Sequence, residues 1–371
     1  MRAITRELRF AARRLTRAPA FSLASMLTLA LGIGATTSIF AVVERVLLNP
    51  LPYPASERLV DLDHGAMPAG RTVSSAIQMS AGLFLYYGDR AHSLESIALY
   101  RTDEQTLTDG GEPERLRIAR VTPSLTSVLQ TVPAIGRWFT ADEGEAAPLI
   151  RPTPQPASRV AVMSYRLWMR RFGGDRAALS RPVSLGGVPT EIVGIMPRGF
   201  AFPDAGVDLW LPEQVGPERV WDTFMHAGVA RLRAGVTVAD ARDELNSVIA
   251  DLPIVFPNDP VVRGFLTNLR LKSMARSLKD ATVGRVAAAL WILLASVGLV
   301  LLIACANVAN LFLVRSEARR REIAVRRALG AGRSDIAHVF LAESAWLATA
   351  GGSLGLLLAW GGVRLLVAFG P

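Results

Sequence analysis

The side chains best suited to chemistry in this sequence are charged rather than nucleophilic. The stretch "VRSEARRREIAVRRALGAGRSDI" at 314–336 holds seven arginines and separates two of the most apolar runs of the chain. Glu317 precedes Arg321 by four residues, and Glu322 precedes Arg326 by four, so each pair can form an ion pair on one face of a helix. This pattern can anchor a loop at a membrane surface or dock a partner, but it supplies no catalytic group.

Residues 44–284 carry no catalytic or metal-binding pattern, and no GxSxG motif occurs among them. The sequence as a whole contains no HExxH-like spacing and no GxxxxGK[ST] phosphate-binding loop. Cys305 is the single cysteine, which excludes an intrachain disulfide and is expected to be a small packing residue. We expect the four histidines, which lie far apart, to be structural or surface residues: His64, His92, His226 and His338. The sequence therefore predicts no enzyme and no bound cofactor or metal.

Three apolar stretches are long enough to cross a bilayer core, which takes about 20 residues of helix. Residues 19–43 and 286–314 carry no charge, and a third span at 336–368 carries Glu343 near its start and Arg364 near its end. The first stretch could instead be a cleaved signal peptide. Its apolar run is longer than a signal peptide's usual 7–15 residues, and no small-residue cleavage site follows, so an uncleaved anchor is favoured.

The net charge of +9 is concentrated beside these apolar runs. Residues 1–43 carry +5, residues 315–333 carry +5, and residues 44–285 hold 27 basic and 27 acidic side chains. A nucleic-acid-binding protein would spread a basic face over its folded domain, so we expect no nucleic-acid partner. Arginine-rich loops stay in the cytoplasm, which predicts a cytoplasmic N-terminus, a cytoplasmic loop at 315–335 and an extracytoplasmic segment at 44–284.

Residues 1–18 form a predicted amphipathic helix. Ile4, Leu8, Ala11 and Leu15 fall on one helical face, which suits a helix that lies on an anionic lipid surface. A simple positive anchor explains the charge equally well, although not the periodicity. The rest of this interfacial helix is filled by Arg2, Arg6, Arg9, Arg13 and Arg17.

The segment 44–284 is predicted to be an α+β domain. Short β-rich runs lie at 58–64, 95–101, 114–122, 159–164, 182–187, 190–196 and 226–233, and Gly186-Gly187 predicts a hairpin between two of them. Helices are expected at 73–88, 164–174 and 237–252, with Thr237 as an N-cap. The proline-rich stretch 148–159 indicates a loop or a subdomain boundary.

Several blocks of the sequence resemble the FtsX-like permeases of type VII ABC transporters, and most of all their MacB-like group. These blocks are "LTLALGIGATTSIFAVVERVLLNPLPYPASERLV" (27–60), "SYRLWMRRFGGD" (164–175), "VSLGGVPTEIVGIMPRGFAFP" (183–203) and "NVANLFLVRSEARRREIAVRRALGAGRSDIAHVFLAES" (307–344). The first block is especially similar to long bacterial permeases in which the whole unit is duplicated. The resemblance implies membrane helices around a MacB-type periplasmic core in a bacterial inner membrane. Family units have four spans, so the three seen here suggest a fragment or a last span supplied elsewhere.

The resemblance also implies partners. It identifies 315–335 as the loop where a cytoplasmic ABC ATPase docks, and it implies a dimer or pseudo-dimer of permease units with a periplasmic adaptor; ATP would bind to the partner. The implied coupling residues are Arg320, Arg321, Glu322, Ile323, Arg326, Arg327, Gly330 and Ala331. Glu343 either approaches this loop or extends towards the membrane surface.

Three functions fit these features differently. The first is the membrane subunit of an exporter that converts cytoplasmic ATP hydrolysis into motion of an extracytoplasmic domain. The alternative is an FtsX-type signalling protein that activates a periplasmic cell-wall hydrolase. A simple anchored binding module fits the domain but leaves the arginine-rich loop unexplained.

Overall fold

The computed structural model describes residues 19–48, 51–66, 73–108, 112–145, 159–216, 221, 223–266, 268, 270–318, 324–325, 328 and 333–369. These residues divide into two compact units. One unit is built from residues 51–282, and we call it the α+β unit; the parts of the chain on either side of it form the helical unit.

The described part of the α+β unit contains two β-sheets. Their strands are β1 (Leu59–Asp61), β2 (His64–Ala66), β3 (Val73–Ile77), β4 (Leu94–Leu107), β5 (Glu114–Val121), β6 (Ile135–Gly136), β7 (Arg159–Met163), β8 (Val183–Leu185), β9 (Val188–Ile195), β10 (Leu209–Pro212), β11 (Ala227–Leu232), β12 (Lys272–Ser273) and β13 (Arg276–Ser277). The larger sheet has the order β13-β1-β11-β4-β5-β10-β7-β9-β6, with β8 paired to β4 and β9, and the smaller has the order β12-β2-β3. β10 pairs with β5 and β7 with β9 in parallel, and the other pairs are antiparallel.

Helices cover both faces of the larger sheet. They are α2 (Ala81–Arg90), α3 (Leu125–Leu129), α4 (Tyr165–Phe172) and α5 (Val238–Val255). Ile97 and Leu99 of β4 pack in the cluster that contains α2 and α5 residues, whereas Ala98 packs in the cluster that contains α3 residues. This alternation follows from the two-residue period of a β-strand, and it gives the sheet two apolar faces to bury.

The predicted mixed α+β character is confirmed, and most predicted elements form. Thr237 caps α5 in a capping box with Asp240, which accepts from the Thr237 backbone N–H at 3.1 Å. β8 and β9 form the predicted hairpin, and both turn glycines have positive φ, +59° for Gly186 and +79° for Gly187. That geometry is the one a two-residue hairpin turn requires.

The prediction of one helix over 73–88 is wrong in its first half. Residues 73–77 form β3, which pairs with β2, and α2 begins only after Ser80, whose side chain accepts from the Leu83 backbone N–H at 3.3 Å. The run 58–64 likewise divides into β1 and β2, which belong to different sheets. The stretch proposed as a loop or boundary at 148–159 lies outside the described residues, except that Arg159 begins β7.

The helical unit contains three long helices: α1 (Pro19–Val43), α6 (Leu278–Ala318) and α7 (Arg333–Phe369). α1 continues as a π-helical turn over Glu44–Leu48. Segments 19–48, 286–317 and 341–362 are long and apolar enough to cross a membrane. A helix satisfies its backbone hydrogen bonds internally, which is what a hydrocarbon environment requires.

Glycines allow α1 and α7 to approach closely. A Cβ on Gly355 would lie 2.9 Å from the Ala30 carbonyl oxygen and 3.2 Å from the Gly34 backbone nitrogen, and a Cβ on Gly34 would lie 2.9 Å from the Gly355 carbonyl oxygen. Small residues at such a crossing let two backbones make van der Waals contact, which is a main source of helix association in lipid.

We predict that Gly355→Ala destabilises the helical unit, although alanine is the better helix former by about 1 kcal/mol. The added methyl group meets backbone atoms of α1 that cannot rotate away. Gly361→Ala on the same helix is the matched control, because among the described residues no heavy atom apart from the adjoining backbone lies within 4 Å of the place its methyl group would take. Thermal unfolding in detergent should show a lower Tm for the first variant and an unchanged or higher Tm for the second. Equal Tm values for the two variants would contradict the close approach.

Candidate functional site

The chain enters the α+β unit through a segment that Arg231 holds in place. Arg231 lies on β11 with no exposed surface. Its guanidinium donates to the carbonyl oxygens of Val128 at 2.7 Å, Pro54 at 2.9 Å and Ala55 at 3.3 Å. The Tyr53 hydroxyl donates to the Ala201 carbonyl at 3.1 Å. Because a buried guanidinium is costly unless its donors are used, these bonds hold residues 53–55 firmly against the sheet.

The chain leaves the α+β unit through β13, which Arg276 holds in place. Arg276 Nε and Nη2 both donate to Asp61 Oδ2 at 3.1 Å, and Nη2 also donates to Asp63 Oδ2 at 2.8 Å. The Arg242 side chain of α5 donates to the Ala275 carbonyl at 2.7 and 2.9 Å. The Ser277 hydroxyl then accepts from the Asp280 backbone N–H at 3.0 Å, in the first turn of α6.

The two passages lie side by side at one edge of the larger sheet. The entry segment leads into β1, and β1 lies between β13, which is the exit, and β11, which carries Arg231. Val60 of β1 is paired with Ser277 on one side and with Ala230 on the other. We call this arrangement the paired root. A displacement of either passage would have to break strand pairing as well as charge-assisted hydrogen bonds.

In the paired root, ionisation of the Asp61 carboxyl group is unfavourable. Burial and the nearby charge of Asp63 raise the pKa of Asp61 to about 6, although the hydrogen bonds and charge of Arg276 act in the opposite direction. Two carboxylates therefore share one arginine in a half-buried site. The ionised form of Asp61 is less favourable here than it would be in water.

A second cluster lies at the arginine-rich end of the helical unit. The Arg315 guanidinium lies over the Phe21 ring at 4.4 Å, and the Phe21 and Phe312 rings meet edge to face at 5.3 Å. This cation–π contact joins α1 to α6 at the point where α6 approaches the arginine-rich loop. On α7, Glu343 has no exposed surface, so its carboxyl group lies within the helix packing and does not extend towards water.

The predicted coupling residues all lie outside the described residues: Arg320, Arg321, Glu322, Ile323, Arg326, Arg327, Gly330 and Ala331. Between residues 319 and 332, Ala324, Val325 and Ala328 are described; each is helical and exposed. The arginines of the predicted interfacial helix also lie outside the described residues: Arg2, Arg6, Arg9, Arg13 and Arg17. The coupling and lipid-binding assignments therefore stay predictions.

The remaining candidate residues are structural where they are described. His64 lies in the core, 2.8 Å from the Tyr87 hydroxyl, and His226 lies 3.0 Å from a Glu213 carboxylate oxygen. The described residues contain no group of three metal-ligand side chains. The expectation that Cys305 is a small packing residue is wrong, because its side chain is exposed on α6.

Sequence reasoning did not single out Arg231 or Arg276. Arg231 occurs in the predicted strand "HAGVARLR", where its position among apolar residues was the available signal for an inward-facing charge. Arg276 belongs to a strand of two residues, which is too short to show a period.

Two family profiles match the sequence. The MacB-like periplasmic core domain matches residues 22–248, and the FtsX-like permease C-terminal region matches residues 294–370. The first match covers the larger part of the α+β unit, and the second covers most of α6 and α7.

Curated relatives include two macrolide export ATP-binding/permease proteins MacB. The one from Hahella chejuensis is 24% identical over 260 residues, which is 65% of this chain and 38% of that protein. The one from Pasteurella multocida is 27% identical over 227 residues, 60% of this chain and 31% of that protein. The chain thus spans 38% and 31% of the length of these two relatives.

Solved structures with a partial likeness include the periplasmic region of MacB from Actinobacillus actinomycetemcomitans, with 10% identity and a TM-score of 0.41 over 62% of this chain and 93% of that one. The extracellular domain of the noncanonic ABC-type transporter YknZ from Gram-positive bacteria has 13% identity and a TM-score of 0.38, over 58% of this chain and 99% of that one.

The pKa of Asp61 predicts a pH effect on stability. A raised pKa means that the folded state holds a proton that the unfolded state releases, so stability is lost as pH rises from about 4 to about 6. Asp61→Asn keeps an acceptor for Arg276 and carries no charge. We therefore expect the Tm of this variant, relative to the unmodified protein, to be higher at pH 7 than at pH 4.5.

The expected change in the free energy of unfolding is on the order of 2 kcal/mol across this range. The measurement is thermal unfolding of both proteins at several pH values in one buffer series. Glu104→Gln, at an exposed pair with Arg115 at 2.5 Å, is the control and should show almost no such trend. A pH-independent difference between Asp61→Asn and the unmodified protein would be inconsistent with the raised pKa.

Proposed function

Because the chain belongs to the family that joins a MacB-like periplasmic core domain to an FtsX-like permease region, we propose that it is the membrane subunit of an ABC-type transporter. It couples ATP hydrolysis by a cytoplasmic partner to motion of the α+β unit. The chain itself binds no ATP and has no catalytic role, in keeping with the lack of a GxxxxGK[ST] motif in its sequence.

The paired root is the observation that carries this proposal. To move as one body, the α+β unit needs a rigid attachment to the rest of the chain. Arg231 and Arg276 bind the two passages of the chain to the same edge of the larger sheet. Arg231 is fully buried, and truncating a buried, hydrogen-bonded charge commonly costs roughly 3–5 kcal/mol, so the entry passage resists local unfolding. Movement of α1 or α6 would then be passed to the sheet as a whole.

The proposed topology has a cytoplasmic N-terminus in a bacterial inner membrane. In this topology, residues 1–18 lie on the cytoplasmic surface. Three segments cross the bilayer: 19–43, 286–314 and 336–368. Residues 315–335 form the cytoplasmic coupling loop. Residues 44–284 are extracytoplasmic. The arginine excess of the two cytoplasmic segments supports this orientation.

The proposed partners are an ABC ATPase, lipid, a second permease unit and a periplasmic adaptor. Export is the proposed direction, because the relatives described above are named as macrolide export proteins. FtsX-type signalling to a cell-wall hydrolase stays the alternative; it shares the coupling step and differs in the protein that the α+β unit contacts.

We predict that substitutions in the coupling loop reduce activity far more than they impair folding. Glu322→Arg removes the ion pair that the sequence predicts with Arg326, and such a pair on a helix is worth about 0.2–0.5 kcal/mol, so the variant should insert and fold. Truncating a charge that a partner desolvates costs on the order of 2–5 kcal/mol, so stimulation of the partner ATPase should fall more than tenfold. Gly330→Val should act similarly if this glycine caps the helix in a left-handed conformation.

The measurement is ATP hydrolysis by the co-expressed partner ATPase in membranes that contain equal amounts of each variant. Glu104→Arg is the matched control, since it reverses an exposed carboxylate within the α+β unit. If both loop variants stimulate the ATPase as the unmodified protein does, the arginines serve only as a topological anchor.

The topology predicts which positions an impermeant thiol reagent can reach. Val132 in the α+β unit is 69% exposed and Val325 in the loop is 59% exposed, so cysteines at both positions are accessible to solvent. In a Cys305→Ala background, Val132→Cys should be labelled in spheroplasts and Val325→Cys only after the membrane is opened. The reverse pattern would overturn the orientation.

A further inference from the structure

A row of charged side chains crosses one face of the larger sheet between two apolar clusters. Leu99 and Leu107 of β4 lie on the same side of the strand, because an even number of residues separates them. Leu99 packs in the cluster that contains α2 and α5 residues, and Leu107 packs in the cluster that contains α4 residues. Arg101 and Asp103 lie between these two leucines on the same side of the strand. The face therefore changes from apolar to charged and back to apolar along a single strand.

Strand pairing brings three arginines into this row. Arg101 of β4 lies directly opposite Arg120 of β5. The antiparallel register of β10 with β7, extended past the end of β10, places Glu213 opposite Arg159. The register of β11 with β4, extended by one residue, places His226 opposite Arg101. We call Arg101, Arg120 and Arg159 the arginine row.

Most N–H donors of Arg101 and Arg120 are unused within the part of the chain that the structure describes. Arg101 donates there only from Nε, to the two Glu213 carboxylate oxygens at 3.0 and 3.1 Å, and His226 Nε2 lies 3.0 Å from the same carboxylate. Arg120 forms no hydrogen bond with a described residue. Its Nε is buried, and the Asp103 carboxylate is 3.9 Å from it. A guanidinium has five N–H donors, and leaving a buried donor without an acceptor is costly.

The row also carries more positive than negative charge. Burial lowers the pKa of the Arg120 guanidinium, the charges of Arg101 and Arg159 lower it further, and the charges of Glu213 and Asp103 raise it. Like charges directly opposite each other on neighbouring strands are destabilising. Three arginines thus face two carboxylates, which leaves one positive charge of the row unbalanced.

We propose that the arginine row binds the carboxylate group of a small organic acid over the β4–β5 strand pair. Side chains directly opposite each other have Cβ atoms about 4.5–5.5 Å apart, so the guanidinium groups of Arg101 and Arg120 can reach one anion. A planar guanidinium donates two parallel N–H bonds to a carboxylate. One carboxylate also balances the charge of the row, whereas a divalent anion such as sulfate would add an uncompensated negative charge to a half-buried site.

The row is open to such a ligand. The Arg101 side chain is 35% exposed and the Arg120 side chain 20% exposed, so solvent reaches both. Val215 and Phe224, which are half-buried, lie two residues from Glu213 and His226 and leave apolar surface close in sequence to the row. An acid with an apolar body therefore suits the site better than a fully polar one.

This inference depends on the α+β unit alone and goes beyond the proposed function. Calorimetric titration of the purified full chain in detergent tests it, with benzoate as the probe. Benzoate should bind saturably, and benzamide, which has the same ring and no charge, should bind about tenfold more weakly or worse. Sulfate at the same ionic strength should also bind more weakly than benzoate. Arg120→Gln should weaken benzoate binding by about tenfold or more, because it removes charge-assisted hydrogen bonds.

Arg115→Gln is the matched control. Arg115 belongs to the same strand and the substitution removes the same charge, but an odd number of residues separates it from Arg120, so it lies on the opposite face of the sheet. Its carboxylate partner is Glu104, at 2.5 Å in an exposed pair. This variant should bind benzoate as the unmodified protein does.

Stability without ligand distinguishes a binding role of Arg120 from a structural role. Arg120→Gln removes a like charge opposite Arg101 and no hydrogen bond to a described residue, so its Tm without benzoate should be unchanged or higher. An arginine that holds the sheet together would instead lower the Tm when it is replaced. Benzoate should raise the Tm of the unmodified protein and leave the Tm of Arg120→Gln unchanged.

Any one of four results would overturn the proposal. They are the lack of saturable benzoate binding, benzamide or sulfate binding as tight as that of benzoate, unchanged benzoate affinity or a lowered ligand-free Tm in Arg120→Gln, and an equal loss of affinity in Arg115→Gln. The partner ATPase takes no part in these measurements. Failure here together with normal stimulation of that ATPase would reject the carboxylate site and leave the proposed function intact.

Discussion

The structure depends on the constraint that the chain enters and leaves the α+β unit at one sheet edge. β1 and β13 are neighbours, and Arg231 and Arg276 bind the two passages from within the unit. An arginine suits this task because its planar donors can reach several acceptors at once without losing charge. The entry segment is therefore held by Arg231 just before β1, and the exit lies in β13, which is paired with β1.

The helical unit is stabilised differently from the α+β unit, because in lipid the hydrophobic effect contributes little to helix association. Contact between α1 and α7 relies on glycine, whereas α1 and α6 meet through aliphatic side chains and the Phe21–Arg315 contact. α1 thus lies between its two neighbours as the common element. Glu343, buried on α7, lies among apolar helices, where an acid is costly and is usually retained for a functional reason.

Much of this architecture could be predicted from the sequence because it is local. The alternation in "ESIALYR" and "ERLRIARVT" indicates strands by itself, and Thr237 with Asp240 indicates a helix start. The prediction over 73–88 failed because β3 is stabilised by pairing with β2, an interaction that its own residues do not encode. β6, β12 and β13 have two residues each, so no periodicity could reveal them.

The sequence by itself determined the apolar helices, the mixed α+β domain between them and the family, because hydropathy, period and motif spacing are properties of neighbouring residues. Only the tertiary structure decided which charged side chains hold the domain at its root. Arg231 meets Pro54 across 177 residues and Arg276 meets Asp61 across 215. Long-range partners are chosen by the geometry of the whole sheet and bundle, and no short stretch of sequence contains that geometry.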